Sequence, residues 1–451
     1  MELQNIPSMT KLLDSSEFSD FDINQEILKK IINNTLDSVR KTVYSDKNNN
    51  LTDKDIKRQI VIEIKKIFDQ EPKIVINGTG VILHTNIGRA PISKDSSEQI
   101  QSLLSNYSDL ELDIKSKNRK SRISKSDKLL SLIIGSESSA IFNNNAMALV
   151  IALASLGKNK EVLVSRSESV EIGGGFRIPE IIKMSGQKLI DVGTTNKTYL
   201  SDYEENISEK TVAILKVHKS NYRIEGFTEE VDIKNLSNLA TKHSISLIHD
   251  LGSGNFMDST KYGLPFEPSI MDSINDGSHM TLFSGDKLLG GPQCGIIVGK
   301  KESIEKINKN PLARAARIDK LNLYILNNSL TSYISKSKTE KIPSWSLIKL
   351  DSEEIKKRAN LILEKLPKEF FRLTQCKSTI GGGTFPETYI DSYGIKMTEK
   401  NLTKKLESYL LNMKLPILGK VENDNLVIDL RTIFNEYDNY LIESLNNFFN
   451  K

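Results

Sequence analysis

The sequence predicts an α/β fold with a mainly parallel central sheet, a helical N-terminal domain and a small α+β C-terminal domain. The first observation is that, from about residue 130, short apolar segments alternate with segments of helical pattern. The second is that polar residues and glycines follow the apolar segments, where parallel sheets bind ligands. Because parallel strands are joined by crossovers that are usually helical, this alternation indicates a sheet covered on both faces.

The central region is predicted to hold seven strands and three helices. The apolar segments are short and rich in Val, Ile and Leu, which is typical of buried strands. The predicted strands are 139–143, 161–165, 188–192, 211–217, 245–249, 279–284 and 295–298, and the predicted helices are 145–156, 232–243 and 318–330.

The two flanking domains have different patterns. Helical segments at 24–42 and 54–69 surround a polar loop at 46–53 and end near Glu71-Pro72. After about residue 335 the elements are mixed, which predicts three domains, 1–71, 72–335 and 336–451. The last is predicted to contain helices at 351–365, 398–412 and 436–449 and strands at 370–378, 416–421 and 425–430.

Composition restricts the class of protein. The chain has 451 residues, 38% hydrophobic and 27% charged, and its net charge of +4 is too small to indicate nucleic-acid binding. No apolar run is long enough to span a bilayer, and the first residues lack a signal-peptide layout, so we expect a cytoplasmic protein. Two cysteines, Cys294 and Cys376, exclude a disulfide framework and a thiolate zinc cluster.

Lys287 is the first candidate for chemistry. It follows the predicted strand 279–284 and lies between Gly285 and Gly290-Gly291. Glycines allow the backbone to approach a ligand closely, and partial burial helps a lysine amine lose the proton that it must lose to form a Schiff base. This window alone slightly favours the alternative, a surface lysine on a glycine-rich loop.

Asp250 favours a Schiff-base role for Lys287 over a surface position on a loop. It ends the predicted strand 245–249 and precedes Lys287 by thirty-seven positions. Pyridoxal phosphate (PLP) needs a carboxylate at its ring nitrogen, which stays protonated and makes the ring an electron sink. An aspartate that caps the following turn is the alternative. The two residues together favour a PLP site, with Lys287 as its Schiff-base lysine.

A phosphate site is expected where the strand 139–143 is followed by a helix. Asn144, Asn145 and Ala146 open that helix, and free backbone N–H groups at a helix N-terminus bind anions. An Asn-rich turn with an ordinary N-cap is the alternative. Ser284, just before Gly285, is a candidate hydroxyl ligand of the same phosphate.

Arginines supply further anion-binding candidates. Arg89 lies in a turn between Gly88 and Pro91, and Arg314 and Arg317 lie three positions apart, on one face if helical. The guanidinium group binds phosphate-like anions with a planar pair of donors, although for any single arginine an ion pair with a carboxylate is the simpler explanation.

Two other features are candidates. His218 and Asn221 follow the strand 211–217 and are expected to line the cofactor site. The densest basic run fits a polyanion site, and a solvated loop explains it at least as well. The run contains Lys115, Lys117, Arg119, Lys120, Arg122, Lys125 and Lys128.

Over nearly its whole length the chain resembles the bacterial selenocysteine synthases, the L-seryl-tRNA(Sec) selenium transferases. The run Phe283 to Gln293 and the run Leu83 to Asn86 are the most specific parts of the resemblance. The other segments are Ile6–Leu13, Ile76–Pro91, Val164–Arg166, Val170–Gly174, Val192–Asn196, Lys216–Phe227, Asp250–Gly254, Phe283–Gly295 and Asn310–Lys320.

The resemblance implies a fold-type-I PLP enzyme with Lys287 as the Schiff-base lysine and Asp250 at the ring nitrogen. It also implies that Arg89, Arg314 and Arg317 bind selenophosphate or the leaving phosphate. The reaction would convert L-seryl-tRNA(Sec) to L-selenocysteinyl-tRNA(Sec) through a PLP-bound dehydroalanyl-tRNA. The resemblance further implies a homo-oligomer, a decamer in the family, with sites at subunit interfaces, and an N-terminal domain that grips tRNA(Sec).

Some residues depart from the family pattern, and two other functions compete. Lys115-Ser116-Lys117-Asn118-Arg119 replaces a Glu-Arg-Gly run, so roles for Arg119 and Arg122 are not transferred. Gly78 and Cys294 also differ from the usual residues.

One competing function is a PLP lyase for a small amino or sugar acid, which would not need residues 1–70. The other is a non-catalytic tRNA-binding protein, which the presence of Lys287 and Asp250 disfavours.

Overall fold

A computed structural model describes residues 7–45, 52–69, 71–173, 175–335 and 341–449. Most of the predicted loop at 46–53 lies outside these residues, as do Ile6 and Gly174 of the resemblance segments. The chain divides into two compact units, Met1–Ile74 and Val75–Lys451. The domain boundaries at 71 and 335 stay predictions.

The first unit is helical, and its second and third helices match the predicted segments 24–42 and 54–69 closely, whereas its short first helix was not predicted. The third helix begins with a capping box, in which Thr52 and Asp55 exchange hydrogen bonds between side chain and backbone. Ile56, Ile60 and Ile64 recur every four positions and are fully buried, because this spacing places them on one helix face. The helices are α1 (Met9–Leu13), α2 (Gln25–Ser45) and α3 (Asp53–Phe68).

The second unit contains the remaining helices and all the strands of the described residues. None of the described helices is long and apolar enough to cross a bilayer. The helices are α4 (Lys94–Ser105), α5 (Ser124–Ile134), α6 (Asn145–Ala154), α7 (Ile178–Met184), α8 (Leu200–Glu205), α9 (Ile233–Lys242), α10 (Ile270–Asn275), α11 (Lys301–Lys309), α12 (Pro311–Ala315), α13 (Lys320–Ile334), α14 (Pro343–Lys349), α15 (Ser352–Leu363), α16 (Lys400–Leu411) and α17 (Asp438–Asn447).

The strands of the second unit fall mainly into two large sheets. Two short two-stranded pairings, Ile76–Asn77 with Ile417–Leu418 and Glu171–Ile172 with Phe176–Arg177, complete the described set. The strands are β1 (Ile76–Asn77), β2 (Val81–Leu83), β3 (Ser138–Phe142), β4 (Glu161–Ser165), β5 (Glu171–Ile172), β6 (Phe176–Arg177), β7 (Lys188–Val192), β8 (Thr211–Val217), β9 (Ser246–Gly252), β10 (Met280–Ser284), β11 (Gly295–Gly299), β12 (Phe371–Gly381), β13 (Tyr389–Met397), β14 (Ile417–Leu418), β15 (Lys420–Glu422) and β16 (Asn425–Asp429).

The central sheet confirms the predicted α/β class. Its seven strands run in the order β3-β11-β10-β9-β8-β4-β7, and only β11 is antiparallel to its neighbours. All seven predicted strands are present, within a few residues of the expected bounds. Apart from β7 at the edge, the strands are largely buried because helices cover the sheet. The helix α6, which is apolar on every side, is buried from Ala148 to Leu153.

The second sheet has five strands in the order β15-β16-β13-β12-β2. β13 was not predicted from the sequence, because its residues alternate irregularly between buried and exposed. The prediction of one strand at 416–421 was wrong: β14 and β15 are separated at Gly419 and pair with different partners. β2 pairs with β12 in parallel, Val81 opposite Thr379, and this pairing joins residues far apart in the sequence.

Candidate active site

Lys287 lies in a tight turn directly after β10. The Lys287 carbonyl accepts a hydrogen bond from the Gly290 N–H at 2.9 Å, and the Leu288 N–H donates to the Ser253 carbonyl at 3.1 Å. From the other side, Trp345 Nε1 donates to the Leu288 carbonyl at 2.7 Å. These bonds fix the turn, so the lysine is a buried part of the fold and not a surface loop residue.

The Lys287 amine is held in a closed environment. Its side chain is buried, and burial lowers its pKa, as does the positive charge of Arg89. Asp250, Asp286 and Glu267 oppose that shift with their negative charges. A lowered pKa increases the neutral fraction of the amine, which is the form that reacts with an aldehyde.

Asp250 lies on β9, the strand beside β10, where its partner in the parallel register is Leu282. Its carboxyl group is buried and Oδ1 accepts a hydrogen bond from Asn145 Nδ2 at 2.9 Å. Burial raises the pKa of Asp250, while the Asn145 bond and the positive charge of Lys287 oppose the rise. A cationic ring N–H at this carboxylate would favour its ionised form.

The N-terminus of α6 lies beside Asp250. Asn144 is the N-cap, and its side chain accepts from the Met147 N–H at 2.8 Å. Within the described residues no hydrogen bond is found for the backbone N–H groups of Asn145 and Ala146. They belong to the helix's first four N–H groups, which have no partner inside a helix and suit a phosphate. Ser284, also buried, ends β10.

His218 and Asn221 follow β8, as predicted, but they point to different partners. The backbone N–H of His218 donates to the Asp250 carbonyl at 3.0 Å, which places His218 next to the predicted ring-nitrogen site. Asn221 is exposed and its Nδ2 donates to the Glu171 carbonyl at 3.1 Å. The structure therefore gives His218 a place beside Asp250, whereas the role of Asn221 stays a prediction.

Arg89 contacts the Lys287 turn although it lies far earlier in the sequence. It follows β2, and its Nη1 donates to Asp286 Oδ2 at 2.8 Å, one residue before Lys287. The Ala90 N–H donates to the Asp286 carbonyl at 3.2 Å. Because the Arg89 side chain is partly exposed, its guanidinium group can still reach an anion.

Arg314 and Arg317 lie next to the end of β3, where Arg317 forms an isolated β-bridge with Phe142 and the Asn143 N–H donates to the Ala316 carbonyl at 3.0 Å. They line a cavity of about 710 Å³, here called the arginine cavity, with Glu111, Arg119 and Arg122, and Lys287 is not among its lining residues. Glu111 forms ion pairs with Arg317 at 3.1 Å and Arg122 at 2.6 Å. Part of the basic run is therefore an ion-pair network around Glu111.

Two residues at the site were not predicted from the sequence. Gly383 is close enough to Lys287 that a Cβ atom on it would lie 2.6 Å from the Lys287 Nζ. Glu267, whose side chain is 5% exposed, lies 3.1 Å from His218 Nε2. The run Gly381-Gly382-Gly383 is a signal that a backbone approaches a ligand closely, whereas nothing in the sequence around Glu267 marks it.

The residues fit PLP. The site combines a buried amine with a lowered pKa, a buried carboxylate beside it and a helix N-terminus with free N–H groups. Two buried side-chain oxygens here, Asn145 Oδ1 and Ser253 Oγ, have no hydrogen-bond partner among the described residues. Buried polar atoms normally have partners, so these orphaned atoms suit a polar ligand that they would bind.

Comparison with known proteins finds related sequences over nearly the whole chain. The family model described as SelA, L-seryl-tRNA selenium transferase, matches residues 75–434. A protein of Alkaliphilus oremlandii named L-seryl-tRNA(Sec) selenium transferase is 39% identical over 98% of this chain and 97% of its own length. A protein of the same name from Carboxydothermus hydrogenoformans is 42% identical over 97% and 96%.

A solved structure gives an independent view of the fold. The structure of D-glucosaminate-6-phosphate ammonia-lyase covers 85% of this chain and 97% of its own, with a TM-score of 0.59 and 19% sequence identity. At that identity the likeness shows a shared fold and no more.

Proposed function

The chain belongs to the L-seryl-tRNA selenium transferase family, and we propose that it converts L-seryl-tRNA(Sec) to L-selenocysteinyl-tRNA(Sec) with selenophosphate as the selenium donor. One observation carries the proposal: the buried Lys287 amine and the buried Asp250 carboxylate converge beside the N-terminus of α6. The near-full-length identity to the named relatives supports the choice of an aminoacyl-tRNA over a small substrate.

Lys287 is proposed to take and return the proton at the serine Cα. Pyridoxal phosphate is the cofactor, and when bound it stabilises negative charge at that carbon. The buried amine is suited to proton transfer because its lowered pKa lies closer to neutral pH than that of an exposed lysine. Asp250, oriented by the amide of Asn145, is proposed to hold the cofactor's ring nitrogen in its protonated form.

Asn145, Ala146 and Ser284 are proposed to bind the cofactor's phosphate. Two N–H groups at the start of α6 support this, because they have no hydrogen-bond partner among the described residues. The helix dipole supports it as well, because its positive end lies at the N-terminus and attracts an anion. His218 is proposed to line the cofactor site next to Asp250. Asn144 supports the site indirectly as the cap of α6, and Asn221 is kept as a proposed contact.

Arg89 is proposed to bind selenophosphate at the Lys287 turn. Arg314 and Arg317 are proposed to do so as well, and because Lys287 does not line their cavity, a second copy is proposed to complete the site, as the resemblance implies. We therefore propose a homo-oligomer with sites between subunits, and a decamer as the resemblance implies. We also propose that the N-terminal helices grip tRNA(Sec) and that the enzyme works in the cytoplasm, where aminoacyl-tRNAs are used.

The test is to give the full-length protein PLP, seryl-tRNA(Sec) and selenophosphate. Selenocysteinyl-tRNA(Sec) is the expected product, and Lys287→Ala should lose both the product and the visible absorbance of the bound cofactor. Lys158→Ala, at an exposed lysine, should keep both and serves as the matched control. Turnover of a free amino or sugar acid without any selenocysteinyl-tRNA(Sec) would instead identify a small-molecule lyase.

A further inference from the structure

Glu267 is a buried carboxylate beside the proposed cofactor site that none of the proposed steps uses. Its side chain is 5% exposed, and Oε1 lies 3.1 Å from Nε2 of His218, whose side chain is 20% exposed. Removing a carboxylate from water is costly unless hydrogen-bond donors compensate. The bond to His218 therefore supplies a hydrogen-bond partner to the buried Glu267 carboxylate, and it lies inside the wall of the site and not on the surface.

Both partners are held by the backbone around them. The His218 N–H donates to the Asp250 carbonyl at 3.0 Å. The Glu267 N–H donates to Ser259 Oγ at 3.1 Å, and the Glu267 carbonyl accepts from Asn255 Nδ2 at 2.9 Å. Because both ends are anchored, the bond between the two side chains fixes the imidazole ring in one orientation.

The pair lies near the reacting amine. His218, Glu267 and Phe385 line a cavity of about 470 Å³, and Phe385 is two residues after Gly383, which packs against the Lys287 amine. The negative charge of Glu267 is also among those that oppose the lowered pKa of Lys287. Because that effect is the smallest of those acting on Lys287, the contact through which Glu267 acts on the site is its hydrogen bond to His218.

We propose that Glu267 is a positioning residue, which accepts a hydrogen bond from Nε2 of His218 and thereby fixes that imidazole beside the bound cofactor. The inference rests on the proposed function, in which His218 lines the cofactor site. An ionised carboxylate has no proton to donate, so the bond requires the proton on Nε2 and selects one tautomer of neutral His218.

A double-mutant cycle tests this role in the full-length protein. The dissociation constant of PLP is measured by visible absorbance for Glu267→Ala, His218→Ala and the double variant. Each single variant should bind PLP about tenfold more weakly, which is the size expected for a lost hydrogen bond to a charged group. The double variant should be no weaker than His218→Ala, because Glu267 acts only through that ring. Glu267→Gln, whose amide oxygen accepts the same bond, should stay within about threefold of the native protein.

Glu229→Ala is the matched control, since Glu229 is exposed and lines the same cavity. It should leave PLP binding unchanged. Losses that add in the double variant, or a lower Tm for Glu267→Ala with unchanged PLP binding, would overturn the inference. The native protein failing to bind PLP would instead refute the proposed function, so the two failures are distinguishable.

Discussion

The Lys287 amine is surrounded by residues from distant parts of the chain. Arg89 comes from the segment after β2, and Gly383 comes from the loop after β12. Burial and the charge of Arg89 lower the pKa of the amine, while nearby carboxylates oppose them. At the residue scale, the pKa of the Lys287 amine is therefore set by opposing effects. A change in any of these neighbours can alter the state of the amine.

Gly383→Ala should slow the reaction of Lys287 with PLP by about tenfold or more. The new Cβ would lie 2.6 Å from Nζ, so the flexible end of the lysine must move away from its position. Stopped-flow absorbance after mixing with PLP measures the rate. Gly186→Ala is the control, because both glycines have a φ of +82° but Gly186 has no atom within 4 Å of the Cβ position. Both variants should lose about 1–2 kcal/mol of stability through backbone strain, and equal PLP rates would contradict the prediction.

Arg89→Gln should move the pH dependence of PLP capture to higher pH. The reacting form of Lys287 is the neutral amine, and the charge of Arg89 helps to lower its pKa. The substitution removes that positive charge and also frees the Asp286 carboxylate from its ion pair. Both effects raise the pKa of Lys287, so less neutral amine is present at a given pH. The measurement is the rate of PLP capture between pH 6 and pH 10. Arg89→Lys retains the charge and should keep the native profile, and an acid shift in Arg89→Gln would count against the assignment.

At the scale of single elements, α6 has two functions that meet at its first turn. Its apolar residues are buried under the sheet, and its N-terminus lies beside Asp250, at the proposed cofactor site. Asn144 caps the helix, so the alternative that the sequence left open, an ordinary N-cap, is confirmed. A cap and an anion site are compatible, because the cap uses the Met147 N–H and leaves those of Asn145 and Ala146 free.

Substitutions of Asn144 separate these two functions. Asn144→Ala should lower the free energy of unfolding by about 1 kcal/mol through the lost cap. Asn144→Asp should retain the cap and the stability, but its negative charge would repel the phosphate and weaken PLP binding. Thermal unfolding and PLP titration measure the two effects. If Asn144→Asp bound PLP as tightly as the native protein, the phosphate would not lie at this helix.

At the scale of the whole molecule, the second unit brings its two large sheets together at the Lys287 site. The central sheet supplies Asp250 and Lys287 at the carboxyl ends of neighbouring strands. The five-stranded sheet, through β2 and β12, supplies the segments that carry Arg89 and Gly383. The arginine cavity lies next to the end of β3 and Lys287 does not line it, which leads to a prediction about assembly.

Coexpression of two inactive variants should restore part of the activity. One variant carries Lys287→Ala and the other carries Arg314→Ala with Arg317→Ala. If the arginines of one copy serve Lys287 of another, a mixed oligomer contains some sites with both functional parts. Selenocysteinyl-tRNA(Sec) formation by the copurified mixture measures this, with each variant alone as the control. Each variant alone should be inactive, and an inactive mixture would place all the catalytic groups in one chain.

The sequence by itself determined the fold class and identified Lys287 and Asp250 as the pair that is proposed to carry the chemistry. Alternating strands and helices specify a parallel sheet, and in such a sheet residues that end neighbouring strands, such as Asp250 and Lys287, meet at one edge. Only the tertiary structure decided that Gly383 and Glu267 reach the site and that Arg314 and Arg317 lie in another cavity. The physical reason is that periodicity reports local structure, whereas the pairing of β2 with β12 and the burial of one carboxylate depend on contacts between segments far apart in the chain.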